Sequence, residues 1–293
     1  VSTTDWLAAE FEAHRGHLRA VAYRMLGSSA EADDAVQETW LRLTGAGSAD
    51  VRNLRAWLTT VVSRICLDML RARRARREDP LDVHVPDPVI TPGAEDPEEH
   101  ALLADSVGLA LLIVLDTLSP AERLAFVLHD IFAIPFEQVG PILDRSPAAA
   151  KQLASRARHR LRAAGPAATS DPARQREIAE AFLAASGGHD LGGLLAILDQ
   201  GVVLRADAGT GPFGPSRLLR GAAVVAAQAS RFAPLARFAR PVLVNGAPGF
   251  LVAPNGQPQA VIGLTIHDGK ITEIDILADP RRLSRLDLTG LIR

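Results

Sequence analysis

The segment that most restricts the fold is "PFEQVGPILDRSPAAAKQLASRAR", residues 135–158, which reads as a helix, a short turn and a second helix. Pro135 opens the first helix, which closes at Asp144–Arg145, and Ser146 with Pro147 supplies a cap and a first-turn residue for the second. At about 100° per residue, Ala150, Leu153, Ala154, Ala157 and Leu161 fall on one side of that helix. Ala148, Lys151, Gln152, Ser155, Arg158, His159 and Arg162 fall on the other. Residues 146–162 contain no acid, whereas a solvated helix face ordinarily carries both signs. The pattern is that of a helix-turn-helix whose second helix enters the major groove. Its first half meets base edges, and Arg158, Arg160 and Arg162 sit by phosphates.

The net charge of −2 over 293 residues hides this local excess. Residues 81–110 hold seven acids and no Lys or Arg, and they are rich in proline, the composition of a linker. Upstream, helices are expected at 5–26, 29–44 and 53–77. In the second, Ala32, Ala35, Val36, Trp40 and Leu43 face a core, while Asp34, Gln37, Glu38 and Leu41 share the opposite side. A leucine centred among acids suggests a partner surface. The third carries an apolar stripe (Leu54, Trp57, Leu58, Val61, Val62, Ile65, Met69) and ends in "RARRARR". Helices resume at 96–117 and 119–133 before the helix-turn-helix. Beyond "AAGPAATSDP" come helices near 173–186 and 190–198. Strands follow at 201–207, 241–246, 248–253, 258–267 and 270–277, with two-residue hairpin signals at Asn245–Gly246, Asn255–Gly256 and Asp268–Gly269. This predicts an α+β domain with a curved antiparallel sheet.

One cysteine, Cys66, excludes an internal disulfide, and the histidines lack metal-ligand spacing, so neither metal nor cofactor is expected. No run reaches the length of a membrane span and no signal-peptide pattern opens the chain, which leads to the expectation of a cytoplasmic protein without membrane contact.

Residues 11–77 and 119–162 resemble the two conserved domains of bacterial extracytoplasmic-function (ECF) RNA polymerase sigma factors. The resemblance rests on "ADDAVQETWLRL", "LRAWLTTVVSRICLDMLRARRARR" and "LSPAERLAFVLHDIFAIPFEQVGPILDRSPAAAKQLASRARHRL". Residues 171–293 resemble the SnoaL-like, nuclear-transport-factor-2-like tail of one ECF subgroup, through "VNGAPGFLV" and "QAVIGLTIHDGKITEIDILADPRRL". The implied organisation is a multidomain chain of two all-α sigma domains and a cone-shaped α+β domain. Region 2 spans 1–79, an acidic linker 80–100, region 4 with the helix-turn-helix 101–165, and the tail 171–293.

The resemblance implies an alternative sigma factor, not an enzyme, whose partners are core RNA polymerase and promoter DNA. Asp33, Asp34, Gln37, Glu38 and Leu41 would bind polymerase. The loop 46–53 and the start of the next helix would capture a −10 base, with Asn53, Arg55, Trp57 and Arg64 as candidates. Trp57 also belongs to the apolar stripe, so Asn53 and Arg55 are the better contacts. Ala148, Lys151, Gln152, Ser155, Arg156, Arg158 and Arg162 would contact the −35 element. The subgroup carries Trp-Leu-Pro-Glu-Pro in its linker and Asp-Gly-Gly-Gly-basic in its tail, where this chain has "HVPDP" and "ADAGTG". An intramolecular contact between tail and sigma domains is expected there, through Pro86, Asp87 and Pro88 on the linker and Asp207, Gly209 and Gly211 on the tail. Arg205, Arg217 and Arg220 form a basic rim for the acidic linker.

Two other readings stand beside this one. A helix-turn-helix regulator with a ligand-sensing tail accounts for the recognition helix but gives the acidic leucine face no purpose. An isomerase- or cyclase-type tail would draw on Asp207, Asp275, His189 and His267 for acid–base chemistry. It lacks a tyrosine oxyanion donor, since Tyr23 is the only tyrosine. A small-molecule ligand of the tail is compatible with every reading, and the sequence does not name one.

Overall fold

The computed structural model describes residues 3–46, 53–75, 83–92, 108–163, 171–209 and 214–292. They fall into two compact units, residues 1–79 with 114–165 and residues 80–113 with 166–293.

The first unit is helical. α1 (Thr3–Leu26), α2 (Ser29–Ala46) and α3 (Leu54–Ala75) share a core that includes Phe11, Leu18, Met25, Val36, Leu43, Leu58 and Val62. Gly27, at φ 70°, ends α1 in the left-handed conformation that glycine adopts without steric cost, and its N–H bonds the Tyr23 carbonyl at 2.8 Å. Ser28 Oγ accepts from the Glu31 N–H at 3.5 Å, and the Glu31 carboxylate turns to Arg73 of α3, joining the two helices. Cys66 is buried, which pushes its thiol up to about 12 and leaves it a packing residue.

α4 (Leu109–Asp116), α5 (Pro120–Phe126), a π-turn at Val127–Ile131, α6 (Phe136–Ile142) and α7 (Pro147–Ala163) follow. The part of the expected 96–117 helix before Gly108 lies outside the described residues. Ser119 and Glu122 form a reciprocal capping box on α5, which the spacing of "SPAE" encodes. Arg123, 2% exposed, donates Nε and Nη2 to the Arg24 carbonyl, each at 3.1 Å, and Nη1 to Asp116. The Arg24 carbonyl lies in the last turn of α1, where the helix cannot satisfy its own acceptors. His17 adds a 3.2 Å contact to Thr59 Oγ1 and an edge-on contact with Phe132.

The second unit is built on a sheet of seven strands among the described residues, ordered β1-β4-β5-β6-β7-β2-β3. β2 (Leu198–Asp207), β3 (Arg217–Arg220), β4 (Ala239–Val244), β5 (Ala247–Val252), β6 (Ala260–His267) and β7 (Lys270–Leu277) come from the tail. β1 (Ile90–Pro92) comes from the stretch read as a linker and pairs with β4 in the register Ile90↔Val244. Three expectations are corrected here. The sheet is not wholly antiparallel, because β2 runs parallel to β7, and no tight turn joins those two strands to force reversal. Asn255–Gly256 is not a two-residue hairpin, since Val252 pairs with Ala260 across a longer loop containing a 3₁₀ turn. The 80–100 stretch is not a bare connector over 83–92.

The other two turn signals have positive φ at both residues, 51° and 77° at Asn245–Gly246 and 48° and 76° at Asp268–Gly269, as a type I′ hairpin requires. One sheet face is covered by α8 (Pro172–Gly187), α9 (Leu191–Ile197), α10 (Ala222–Arg231) and α11 (Ala233–Ala236), around Phe182, Leu194, Val225 and Phe250. The other is covered by Val85, Ile90 and Leu109, with Leu283 of α12 (Pro280–Leu283) and the residues beyond it. Short β3 and the alanine-rich α10 carry weak local signals and were not expected.

Removing the Arg123 guanidinium leaves two acceptors, the Arg24 carbonyl and Asp116, without their donor. Arg123→Ala should therefore cost about 3–5 kcal/mol of stability to chemical denaturation, the range for breaking a buried charged network. A loss below about 1 kcal/mol would show that water replaces the arginine.

Candidate nucleic-acid interface

The turn into α7 is tight. Asp144 adopts φ 55°, the Arg145 N–H bonds the Gly140 carbonyl at 3.0 Å, and a Cβ on Gly140 would lie 2.8 Å from the Arg145 carbonyl oxygen. Glycine is required there by that approach, not by φ. Ser146 Oγ accepts from the Ala149 N–H at 3.2 Å and caps the helix. Ala150, Ala154 and Ala157 are fully buried, which turns Ala148, Lys151, Gln152, Ser155, Arg156 and Arg162 outward, all exposed.

The arginines of this face are partly engaged. Arg158 is half-buried and pairs with Asp130 at 3.0 Å. Arg160 bonds Glu122 at 3.1 Å, with Arg156 at 3.8 Å from the same carboxylate. Burial raises the Glu122 pKa, but the Ser119 hydrogen bonds and the two arginines outweigh it and hold the carboxyl below its usual range. Buried Glu122 and exposed Asp130 are thus the counter-charges of this face, and the sequence reading missed both.

On α2, Asp33, Asp34 and Gln37 are exposed, Glu38 is partly so, and Leu41 is 56% exposed. Asp33 pairs with Arg19 at 2.8 Å and Glu38 with Arg42 at 2.9 Å. Buried Val36 and Leu43 fix this rotation of the helix.

At the start of α3, Asn53 Oδ1 accepts from the Ala56 N–H at 3.1 Å, so its side chain is a helix cap. Arg55 is exposed, Trp57 is half-buried on the stripe, and Arg64 donates to the Pro141 carbonyl at 3.1 Å. Asn53 and Arg55 line a groove of about 250 Å³ with Phe132, Pro135, Gln138 and Ile142. The start of α3 therefore faces α6, the first helix of the helix-turn-helix. Residues 47–52 of the expected −10 loop lie outside the described residues.

The linker residues meet the tail through a side chain that the sequence reading did not single out. Arg282 donates Nε to Asp87 at 2.7 Å, Nη1 to Asp207 at 2.7 Å and Nη2 to the Val85 carbonyl at 2.5 Å. Asp207 also accepts from the Val85 N–H at 3.2 Å and lies 3.4 Å from His84. Burial raises the Asp207 pKa, but His84, the Val85 N–H and Arg282 prevail and hold the carboxyl below its ordinary value. Pro86 and Pro88 are buried beside this tie. Gly209, at φ 50°, sits where a Cβ would collide with Asp279, which caps α12 by accepting from the Arg281 N–H. Gly211 lies outside the described residues.

The rim expected to receive the linker is corrected. Arg205 bonds Glu273 at 3.0 Å and Asp275 at 2.9 Å, because β2 and β7 set Arg205 opposite Asp275. Arg217 and Arg220 lie on β3, at the far edge of the sheet from β1. The signal for Arg282 was "DPRRL", an Asp cap followed by paired arginines in the first turn.

The acid–base candidates are not brought together. Ile274 and Ile276 line an internal cavity of the tail, whereas Asp275 between them lies on the other face of β7, 1% exposed. Burial pushes Asp275 up to about 7 against the pull of Arg205. Asp207 also lies on that face, His189 is exposed on a turn, and His267 ends β6 beside Asp268. Among the described residues no His, Cys, Asp and Glu cluster could hold a metal ion, and no helix is long and apolar enough to cross a membrane.

Residues 11–76 match the Sigma-70 region 2 family and residues 109–161 the Sigma-70 region 4 family. The chain is 37% identical over 297 residues to the probable ECF RNA polymerase sigma factor SigI of Mycobacterium tuberculosis H37Rv, with 98% of each chain covered. It is 37% identical over 292 residues to the ECF RNA polymerase sigma factor SigJ of the same strain, covering 94% of this chain and 93% of that one. The crystal structure of M. tuberculosis SigJ matches with a TM-score of 0.75 at 36% identity, over 96% of this chain and 100% of that one.

Replacing Arg282 by Ala should release the linker from Asp207. Amide exchange at Val85 should accelerate at least tenfold, while the Val89 amide, bonded to Asn245 Oδ1 at 3.1 Å, should keep its rate. Unchanged exchange at Val85 would show that the bond from its N–H to Asp207 holds without Arg282.

Proposed function

This chain belongs to the extracytoplasmic-function RNA polymerase sigma factors, and on that premise we propose how its surfaces divide the work of an alternative sigma factor. Core RNA polymerase binds the acidic, leucine-centred face of α2. α7 reads the −35 element in the major groove, and the beginning of α3 holds a −10 base that has left the stack. The observation that carries this division is a helix-turn-helix and an acidic face with exposed Leu41 on one helical unit, a combination that a simple repressor does not require.

Arg64 on the Pro141 carbonyl and the groove shared by Asn53 and Gln138 describe a closed arrangement, in which α3 and α6 cover each other. Reaching both promoter elements opens it. The tail biases that opening by holding residues 84–92, and acts without chemistry of its own, since its acid–base candidates lie off the cavity. The sigma domains, the tail and the segment between them work as one regulated chain, which requires no ligand for its basic activity and no membrane.

Run-off transcription with core polymerase tests the −35 reading. Gln152→Ala and Lys151→Ala should each cost about 1–3 kcal/mol at one or two base pairs. Arg162→Ala should weaken all sequences alike and reduce the salt slope by about one. Equal losses for Gln152→Ala on matched and scrambled −35 sequences would remove the base-reading role. In the same assay Arg282→Ala should change the initiation rate at unaltered promoter choice, and identical rates at matched core binding would retire control by the tail.

The polymerase face is tested separately. Leu41→Ala with Glu38→Lys should reduce retention of core enzyme in a pull-down while helical content stays constant, because neither side chain enters the core. Undiminished retention would move the binding surface elsewhere.

A further inference from the structure

The acids beside α7 stand on both of its flanks. At about 100° per residue, Arg156 and Arg160 lie about 40° apart on one flank of the exposed face, and Arg158 lies on the opposite flank. Gln152, Ser155 and His159 run along the centre between them, and all three are exposed. One acid serves each flank. Glu122 of α5 bonds Arg160 at 3.1 Å and stands 3.8 Å from Arg156, while Asp130 of the π-turn pairs with Arg158 at 3.0 Å. Glu122 is itself fixed. It is 4% exposed and accepts from the Ser119 N–H at 3.1 Å and from the Ser119 hydroxyl at 2.7 Å. A helix lying in the major groove meets base edges along its centre line and the phosphates of the two strands with its flanks.

We propose that Glu122 and Asp130 are positioning residues that set sequence specificity: they hold the three flank arginines in place, so that these meet phosphates only in the register that the base contacts select. The proposal deepens the −35 reading of α7 and rests on it. Phosphate contacts supply essentially all of the affinity for DNA of unrelated sequence. An arginine with its full rotamer freedom follows a phosphate in any register. One held by a carboxylate reaches a phosphate only where the DNA backbone comes to it.

Two opposing effects decide the outcome. A paired arginine displaces fewer counterions, which weakens binding to every sequence. In the selected register the held side chain has less freedom left to lose on contact, which offsets part of that loss. No such offset exists in the other registers, where the held arginine misses the phosphate. The acids therefore lower affinity for unrelated DNA more than affinity for the −35 element.

The test is equilibrium binding of the full chain to two short duplexes, one selected by the wild-type chain from a random-sequence library and one with that sequence scrambled. Glu122→Gln removes the charge but keeps an acceptor for Ser119, since a capping box takes Gln as well as Glu. On the scrambled duplex it should steepen the slope of log affinity against log salt by about one to two, and Asp130→Asn by about one. Affinity for the scrambled duplex should rise roughly threefold or more at low salt, and affinity for the selected duplex should rise less. Adding Arg156→Ala and Arg160→Ala to Glu122→Gln should cancel the gain. Glu137→Gln deletes the same charge from an exposed position on α6 and should leave the slope as it was. Wild-type slopes in both Glu122→Gln and Asp130→Asn, or an equal steepening in Glu137→Gln, overturn the proposal. So does an equal gain on the two duplexes. A wild-type chain that selects no sequence sinks the −35 reading and this proposal with it, whereas with selection intact the other outcomes bear on the two acids alone.

Discussion

One guanidinium determines where the linker runs. Arg282 offers five N–H donors in a rigid plane, and the three groups it bonds come from a linker acid, a linker carbonyl and a tail acid. β1 adds three residues to the sheet edge, too few to hold a segment in register alone. A partly buried pair of this kind is weak as a net stabiliser, because desolvation offsets attraction, but losing one partner is costly. Its contribution is specificity of placement. Asp87 must lie where Arg282 reaches it, so Val85 and Ile90 fall on the sheet face and Pro86 and Pro88 are buried beside them.

The same reasoning changes the account of the recognition helix. Its one-signed face suggested a row of unpaired cations awaiting phosphate. In the structure Glu122 and Asp130, from the preceding helices, draw in Arg156, Arg158 and Arg160. An arginine already near a carboxylate releases less counterion atmosphere when it meets DNA, which lowers the gain from each phosphate contact. Lys151, Gln152 and Ser155, in the helix's first half, are the exposed groups beside the tight turn at Gly140. Under the proposed division that half meets base edges, and the C-terminal half, held by Glu122 and Asp130, sets register.

How legible all this was depended on the range of the interaction. The helical unit was visible because amphipathic periods, caps and the Gly27 stop are local, and its residues repeat at helical spacing. The hairpins at Asn245–Gly246 and Asp268–Gly269 are legible for the same reason, whereas the same signal at Asn255–Gly256 belongs to a longer loop. The linker's strand was not, since Ile90–Pro92 shows no alternation long enough to register and owes its conformation to β4. Arg282 was passed over although its neighbours invited attention, because nothing near it in sequence is acidic on the linker side. The partner, Asp87, is 195 residues away. The rim chosen instead, Arg205, Arg217 and Arg220, was close to the right loop but on the wrong positions of the sheet. Register sets Arg205 against Asp275, and register is a tertiary property. Asn53 illustrates the converse: its type suits a base contact, yet a helix start uses the same oxygen first.

The period of two along β2 finally joins two features that the sequence presented as rivals. Read as chemistry, Asp207 and Asp275 were potential acids in a cavity. The pleat puts both on the face opposite the cavity, with alanine and isoleucine turned inward in their place. What an enzyme would aim at a substrate, this tail aims at its own linker and at Arg205. The interior is apolar apart from Ser186, Gln228 and Arg217 in its wall. One strand thus presents two different faces, an apolar interior on one side and the hold on a chain segment on the other, and its pleat is what separates them.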